Sequence, residues 1–323
     1  MQDILTLAGA NLLTPMILCF ALGLAAALAR SELTVPEAAA KAMSLYLLFS
    51  IGFKGGVAVA DHGAGPDLLA ALVAGVVLSS GLPFVAFVLL AAMTRLSALD
   101  RAAVAAHYGS ISIVTFVTAT SVLTEAGIAS EGYMVAVAAA MEAPAIVSAL
   151  WLASRTGTGA RMDAALWREI LLNGSIVLLV GSFVIGMVTG ADGMARIESF
   201  IVAPFQGVLC LFLLDMGLVA GRGLRGVRGV LGPGALLFGM VMPVAGASAG
   251  LAVGLLLGLS AGGVALMMVL AASASYIAVP AAMRVALPEA TPAVYLTLSL
   301  GVTFPFNLSL GIPAYVAVAR LLT

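Results

Sequence analysis

Apolar runs of about twenty residues, each long enough to cross roughly 30 Å of hydrocarbon at 1.5 Å per residue, follow one another along nearly the whole chain. Within hydrocarbon every backbone N–H and C=O must find its partner inside the protein, so such runs fold as helices. Charged residues and Gly/Pro punctuation bound them at 8–29, 36–58, 68–94, 101–124, 132–154, 168–190, 199–221, 232–258, 262–286 and 292–320. Of the residues 63% are apolar and 9% charged, against about 25% charged in a soluble domain, and mean hydropathy is +1.18. A water-soluble fold is excluded. The expected fold is an all-α membrane protein of ten transmembrane helices.

The net charge of −1 offers no basic surface for nucleic acid. The two cysteines, Cys19 and Cys210, lie in separate apolar runs and read as small buried apolar residues, with neither a disulfide framework nor a metal site implied. Residues 1–11 carry no Lys or Arg, unlike the n-region of a cleaved signal, so the first run is expected to stay as a membrane helix. If the N-terminus lies outside, eleven of the fourteen basic residues fall on the inner side, from Arg30 and Lys41 to Arg284, leaving Lys54, Arg196 and Arg320 outside. Basic residues favour the cytoplasmic face. The expectation is therefore a multi-pass protein of the bacterial inner membrane with both termini periplasmic.

The polar stretch 155–167 divides five runs from five, giving a first repeat at 1–154, a cytoplasmic linker, and a second repeat at 168–323. An odd number of spans per half obliges the second half to enter the membrane from the opposite face, so the repeat must be inverted. Weak internal matches agree, at offsets between 161 and 165: Ser50 and Gly52 with Asp215 and Gly217, Gly109–Ser112 with Ala272–Ser275, and Glu142–Pro144 with Thr303–Pro305.

Spans four and nine interrupt their apolar runs at the same repeat position, with Gly109, Ser110, Ser112 and Thr115 in one and Ser273, Ser275, Tyr276 and Pro280 in the other. Proline removes an intrahelical hydrogen bond, and hydroxyls can occupy the backbone groups so freed. Two facing breaks would direct half-helix N-termini, with their free N–H groups, at one point and bind a small anion there. The competing reading is that small residues merely let helices pack closely. Four ionisable residues lie well inside spans: Lys54, His107, Glu142 and Asp215. A mid-bilayer carboxylate costs about 3 kcal/mol, which favours a cavity, a partner or an ion beside it. Glu142 is the leading candidate for ion coupling, with a structural hydrogen bond as its alternative. For Asp215 a salt bridge to Arg222 competes with coupling, Lys54 is placed to snorkel, and His107 reads as a packing residue. No phosphate loop, paired catalytic carboxylates or Ser/His/Asp set is present, so no enzymatic activity and no cofactor are expected.

At these motifs the chain resembles the sodium-dependent bicarbonate transporter family of bacterial permeases. The marks are Leu48–Gly56, the Gly109…Ser112…Thr115 break, Met141–Ala145, and Pro280…Arg284…Pro288. The resemblance implies ten helices in a five-plus-five inverted arrangement, a homotrimer, and a small inorganic anion held between the broken helices. Ser112, Thr115, Ser273 and Ser275 would then line the binding site, and sodium would lie near Ser112, Thr115, Ser275 and Glu142. Three departures are visible: Tyr276 replaces an acidic residue, Ile113 and Val114 replace small residues in the first break, and the linker is much shorter than in the cyanobacterial type, which leaves binding of that type's regulatory signalling protein open. The expected function is sodium-coupled uptake of bicarbonate or a similar small anion. The alternatives are a proton-coupled organic-anion carrier and a non-transporting sensor or scaffold.

Overall fold

The computed structural model describes residues 13–62, 65–155, 168, 172, 174–226, 231–276 and 278–323. The linker beyond Arg155, residues 1–11 and Ile277 lie outside them. Every regular element among the described residues is a helix: α1 Pro15–Leu28, α2 Glu37–His62, α3 Pro66–Met93, α4 Ala98–Gly109, α5 Ile113–Glu125, α6 Met134–Ala140, α7 Glu142–Arg155, α8 Gly174–Ile201, α9 Phe205–Gly226, α10 Pro233–Leu256, α11 Ala261–Ala272, α12 Ala278–Ala286 and α13 Pro292–Leu322. Eight stretches are long and apolar enough to cross a membrane: α2, α3, α4 with α5, α6 with α7, α8, α9, α10 and α13. The chain is a multi-pass helical membrane protein. Helices α1 and α11, of 14 and 12 residues, are apolar but shorter.

Local chemistry sets the helix starts. Proline opens α1, α3, α10 and α13, where its missing N–H is one that a first turn leaves unpaired anyway. Serine caps α4 and α11: Ser97 Oγ accepts from Asp100 N at 3.0 Å and Ser260 Oγ from Gly263 N at 3.2 Å. These two capped helices each run 12 residues and each end on a serine in extended conformation, Ser110 and Ser273.

The helices sort into two packed groups. In one, α2 lies along α8 and α1 along α9. Glycines permit this close approach: a methyl group at Gly52 would fall on Ser182 Oγ and the Leu179 carbonyl of α8, and one at Gly217 on the Phe20 carbonyl of α1. In the other group α3, α4 and α7 pack together and adjoin α10, α11 and α13. Helices α4, α5 and α11 are almost wholly buried at its centre.

Four features depart from the sequence reading. Residues 191–198, expected as an external connection, continue α8 past a kink at Gly190, where φ is 56°. The folded-back turns place Met194, Ile197 and Ile201 against Phe49, Phe53 and Val57 of α2. Span five is broken at Met141, directly before Glu142. Span ten is not a regular α-helix: π-helical stretches Thr297–Thr303 and Asn307–Gly311 flank Pro305, whose ring and missing N–H disrupt the regular ladder. Finally, Cys19 and Cys210 are half-buried free thiols that meet across the α1–α9 contact, within hydrogen-bonding reach of each other.

Candidate functional site

Both expected breaks are present, and they meet. After α4 the chain is extended through Ser110 and Ser112 (ψ 155° and 107°), and after α11 it is extended at Ser273 (ψ 160°). Ser112 N donates to Ser273 Oγ at 2.9 Å, and Ser275 N donates to the His107 carbonyl at 2.7 Å. Each break therefore satisfies backbone groups of the other, as irregular backbone at membrane depth requires. Gly109, the last residue of α4, lets α3 cross closely there. A methyl group at that position would run into the Pro83 ring and the Ser79 carbonyl.

The hydroxyls complete this local order. Ser112 Oγ caps α5, accepting from Thr115 N at 3.2 Å and from Thr115 Oγ1 at 2.9 Å. Ser273 Oγ donates to the Leu270 carbonyl at 3.0 Å. Pro280 lies in the first turn of α12, where the N–H it lacks has no intrahelical acceptor in any case. Ser110 Oγ donates to Glu142 Oε2 at 2.9 Å, so the carboxylate at the start of α7 is tied to the first break.

Between the breaks is a cavity of about 10 Å³ lined by Ser112, Glu142, Ser175, Ser275, Tyr276 and the flanking Ile111 and Ile113. That is room for about one water molecule. Apart from the isoleucines, its side-chain donors are oxygens, one of them a carboxylate, the donor type that hard cations take. The buried Tyr276 hydroxyl lies beside the Ser112 side chain, and its ring packs edge-on against Phe304.

Of the residues singled out in the sequence, Ser112, Ser275, Tyr276 and Glu142 line this cavity. Gly109, Ser110, Thr115 and Ser273 are buried just behind it and build the breaks. Asp215 is buried on α9 and does not line it. Its expected partner Arg222 donates instead to the Leu33 carbonyl at 2.9 Å. His107, read as a packing residue, bonds the Ala103 carbonyl through Nδ1 at 2.7 Å and stacks on Tyr295, while its Nε2 is buried without a hydrogen bond among the described residues. Lys54 does not simply extend to the surface. Its ammonium lies 4.3 Å from the centre of the Phe205 ring, in the wall of a second, larger cavity.

Three contributors were not read from sequence. Asn307 Nδ2 donates to the Ala272 carbonyl at 2.9 Å, holding the end of α11, while its Oδ1 accepts from Tyr315 Oη at 3.0 Å. Ser79 Oγ donates to the Met141 carbonyl at 2.6 Å, supporting the kink before Glu142. Ser175 closes the small cavity from α8. An amide inside span ten is a signal a sequence reading could have used; Ser79 and Ser175 carry none, because serine is common in these spans.

The sequence profile of the Na+-dependent bicarbonate transporter superfamily matches residues 15–320. The chain belongs to that superfamily. The match takes in both groups of helices and both breaks, so the cavity between the broken helices belongs to the superfamily's own fold rather than to an appended domain. Curated protein sequences give no match.

Proposed function

We propose that this superfamily member is a secondary active transporter that takes up bicarbonate or a similar small anion together with sodium. The observation that carries the reading is the meeting of the two breaks, Ser112 N on Ser273 Oγ and Ser275 N on the His107 carbonyl, in a chain of that superfamily. In this reading sodium is carried at the oxygen-lined cavity beside Glu142, with Ser112, Ser275 and Tyr276 as neighbouring donors. Thr115 acts indirectly, by orienting the Ser112 hydroxyl. The anion would be held by first-turn N–H groups of α5 and α12, which have no acceptors within their own helices. No catalytic residue is needed.

A ten-span inverted repeat accounts for several paired features. The capped twelve-residue helices α4 and α11 stand 163 positions apart, and Pro83 and Pro243 sit within α3 and α10. Gly52 of α2 packs on α8 while Gly217 of α9 packs on α1, the exchange of partners expected when second and seventh spans are equivalent. On this arrangement α1 and α11 with α12 complete the ten spans. A cavity the size of one water holds no bicarbonate, so binding requires rearrangement. We assign it to movement of the group holding α4, α5, α11 and α12 against α1, α2, α8 and α9. The proposal extends to a homotrimer in the bacterial inner membrane with periplasmic termini, where basic residues favour a cytoplasmic linker.

Reconstitution tests this. Radiolabelled bicarbonate uptake into proteoliposomes should rise with an inward sodium gradient and fall to background with potassium. A second reading, a small organic-anion carrier, is favoured by Tyr276, an apolar ring facing the cavity. It predicts uptake of short carboxylates, driven by a proton gradient through Glu142, with no response to sodium.

A further inference from the structure

Where α2 and α5 finish and α6 and α9 begin, the structure holds a cavity of about 400 Å³. It shares no lining residue with the cavity between the breaks. Its walls are largely apolar, with Phe116 and Phe205 prominent, and its polar groups include Thr120, Gln206 and Lys54. Lys54 lies eight residues before the end of α2, about 12 Å along the axis. Among the described residues no carboxylate lies within 4.0 Å of its ammonium, which sits over the Phe205 ring.

The carboxylates around the cavity are committed elsewhere. Glu131, which lines it, accepts from Ser260 N at 2.7 Å and from Ser260 Oγ at 3.1 Å, at the positive end of α11. Glu125 Oε1 accepts from Gln206 Nε2 at 2.8 Å. A cation recessed among apolar walls, with its neighbouring anions already bonded, is left to pair with an anion from solution. Helix α5 joins this place to the break: Ser112 caps it, and Phe116 and Thr120 lie on its next turns.

We propose that this cavity is an anion-capture site in which Lys54 binds the O–C–O head of bicarbonate or of a small monocarboxylate before the anion reaches the breaks. A volume of about 400 Å³ accommodates an apolar group behind the head, and Phe116 and Phe205 provide its surface. The capture role rests on the transport reading above; the binding site does not.

Equilibrium binding to the purified full-length protein in lipid nanodiscs tests it, with radiolabelled benzoate as probe and bicarbonate as competitor, in sodium-free buffer. Wild type should bind benzoate saturably. Lys54→Gln should bind it about tenfold or more weakly, the effect of losing one charge-assisted contact. Lys54→Arg should retain binding. Thr120→Trp fills the cavity without touching the cation and should lose binding as well, which covers the case of a poorly folding Lys54→Gln. Equal binding by wild type, Lys54→Gln and Thr120→Trp would overturn the site. Failure of bicarbonate to displace benzoate would overturn the capture role. Because nothing is transported in this assay, absence of sodium-driven uptake would refute the transport reading and leave the site standing.

Discussion

Glu142 lies where coupling and packing make different demands on one side chain. It is buried, accepts from Ser110 Oγ, and faces the small cavity. A coupling group must carry charge or exchange a proton, whereas a packing group needs shape and one polar partner. Glu142→Gln keeps size and hydrogen-bonding capacity and removes the charge. The account predicts a normally expressed protein whose initial uptake has lost its dependence on sodium concentration; unchanged dependence at two pH values would take Glu142 out of the mechanism. Gly109 makes a steric prediction. Gly109→Val would drive its side chain into the Pro83 ring and the Ser79 carbonyl, so overpacking of about 1–3 kcal/mol should show as a lower temperature of thermal inactivation. At this scale Glu142 was legible as a carboxylate inside an apolar run, and the serines and Tyr276 because they cluster at matched repeat positions. Asn307 is also polar within an apolar run, and it went unread because it carries no charge and no repeat partner.

Among the elements, the breaks after α4 and α11 were readable because Gly, Ser and Pro interrupt both runs at one repeat offset. The kink at Met141 and the π-helical stretches of α13 were less so. Pro144 and Pro305 mark both regions, yet how a helix accommodates proline depends on neighbours, here Ser79 on the Met141 carbonyl. The continuation of α8 beyond Gly190 depends likewise on Phe53 and Val57 of a distant helix. The end of α11 offers a test. Asn307→Leu would strand the Ala272 carbonyl and the Tyr315 hydroxyl, at about 1–3 kcal/mol for each buried group left unpaired. Thermal inactivation should come earlier, and uptake by the surviving protein should be slower. A protein as stable and active as wild type would show that Asn307 does not hold the break.

Taken as a whole, the molecule is expected to work by relative movement of two helix groups, and their boundary can be tethered. Gln206 of α9 and Glu125 of α5 meet across it through a 2.8 Å hydrogen bond. In a background lacking Cys19 and Cys210, a cysteine pair at 125 and 206 joined by a short reducible bifunctional thiol cross-linker should stop uptake, with recovery on reduction; full uptake in the crosslinked protein would argue against the movement. Orientation has its own check. A cysteine replacing Gly157 in the linker should resist an impermeant thiol reagent in intact cells and react once they are permeabilised. The most direct measurement of the central claim is initial uptake of radiolabelled bicarbonate by wild-type, Ser112→Leu and Ser275→Leu proteoliposomes, with inward sodium or potassium gradients at one pH. The account predicts sodium-stimulated uptake in wild type and background uptake in both variants, all three eluting as the same oligomer. Sodium-stimulated uptake that survives leucine at both positions would place the anion somewhere other than between the breaks.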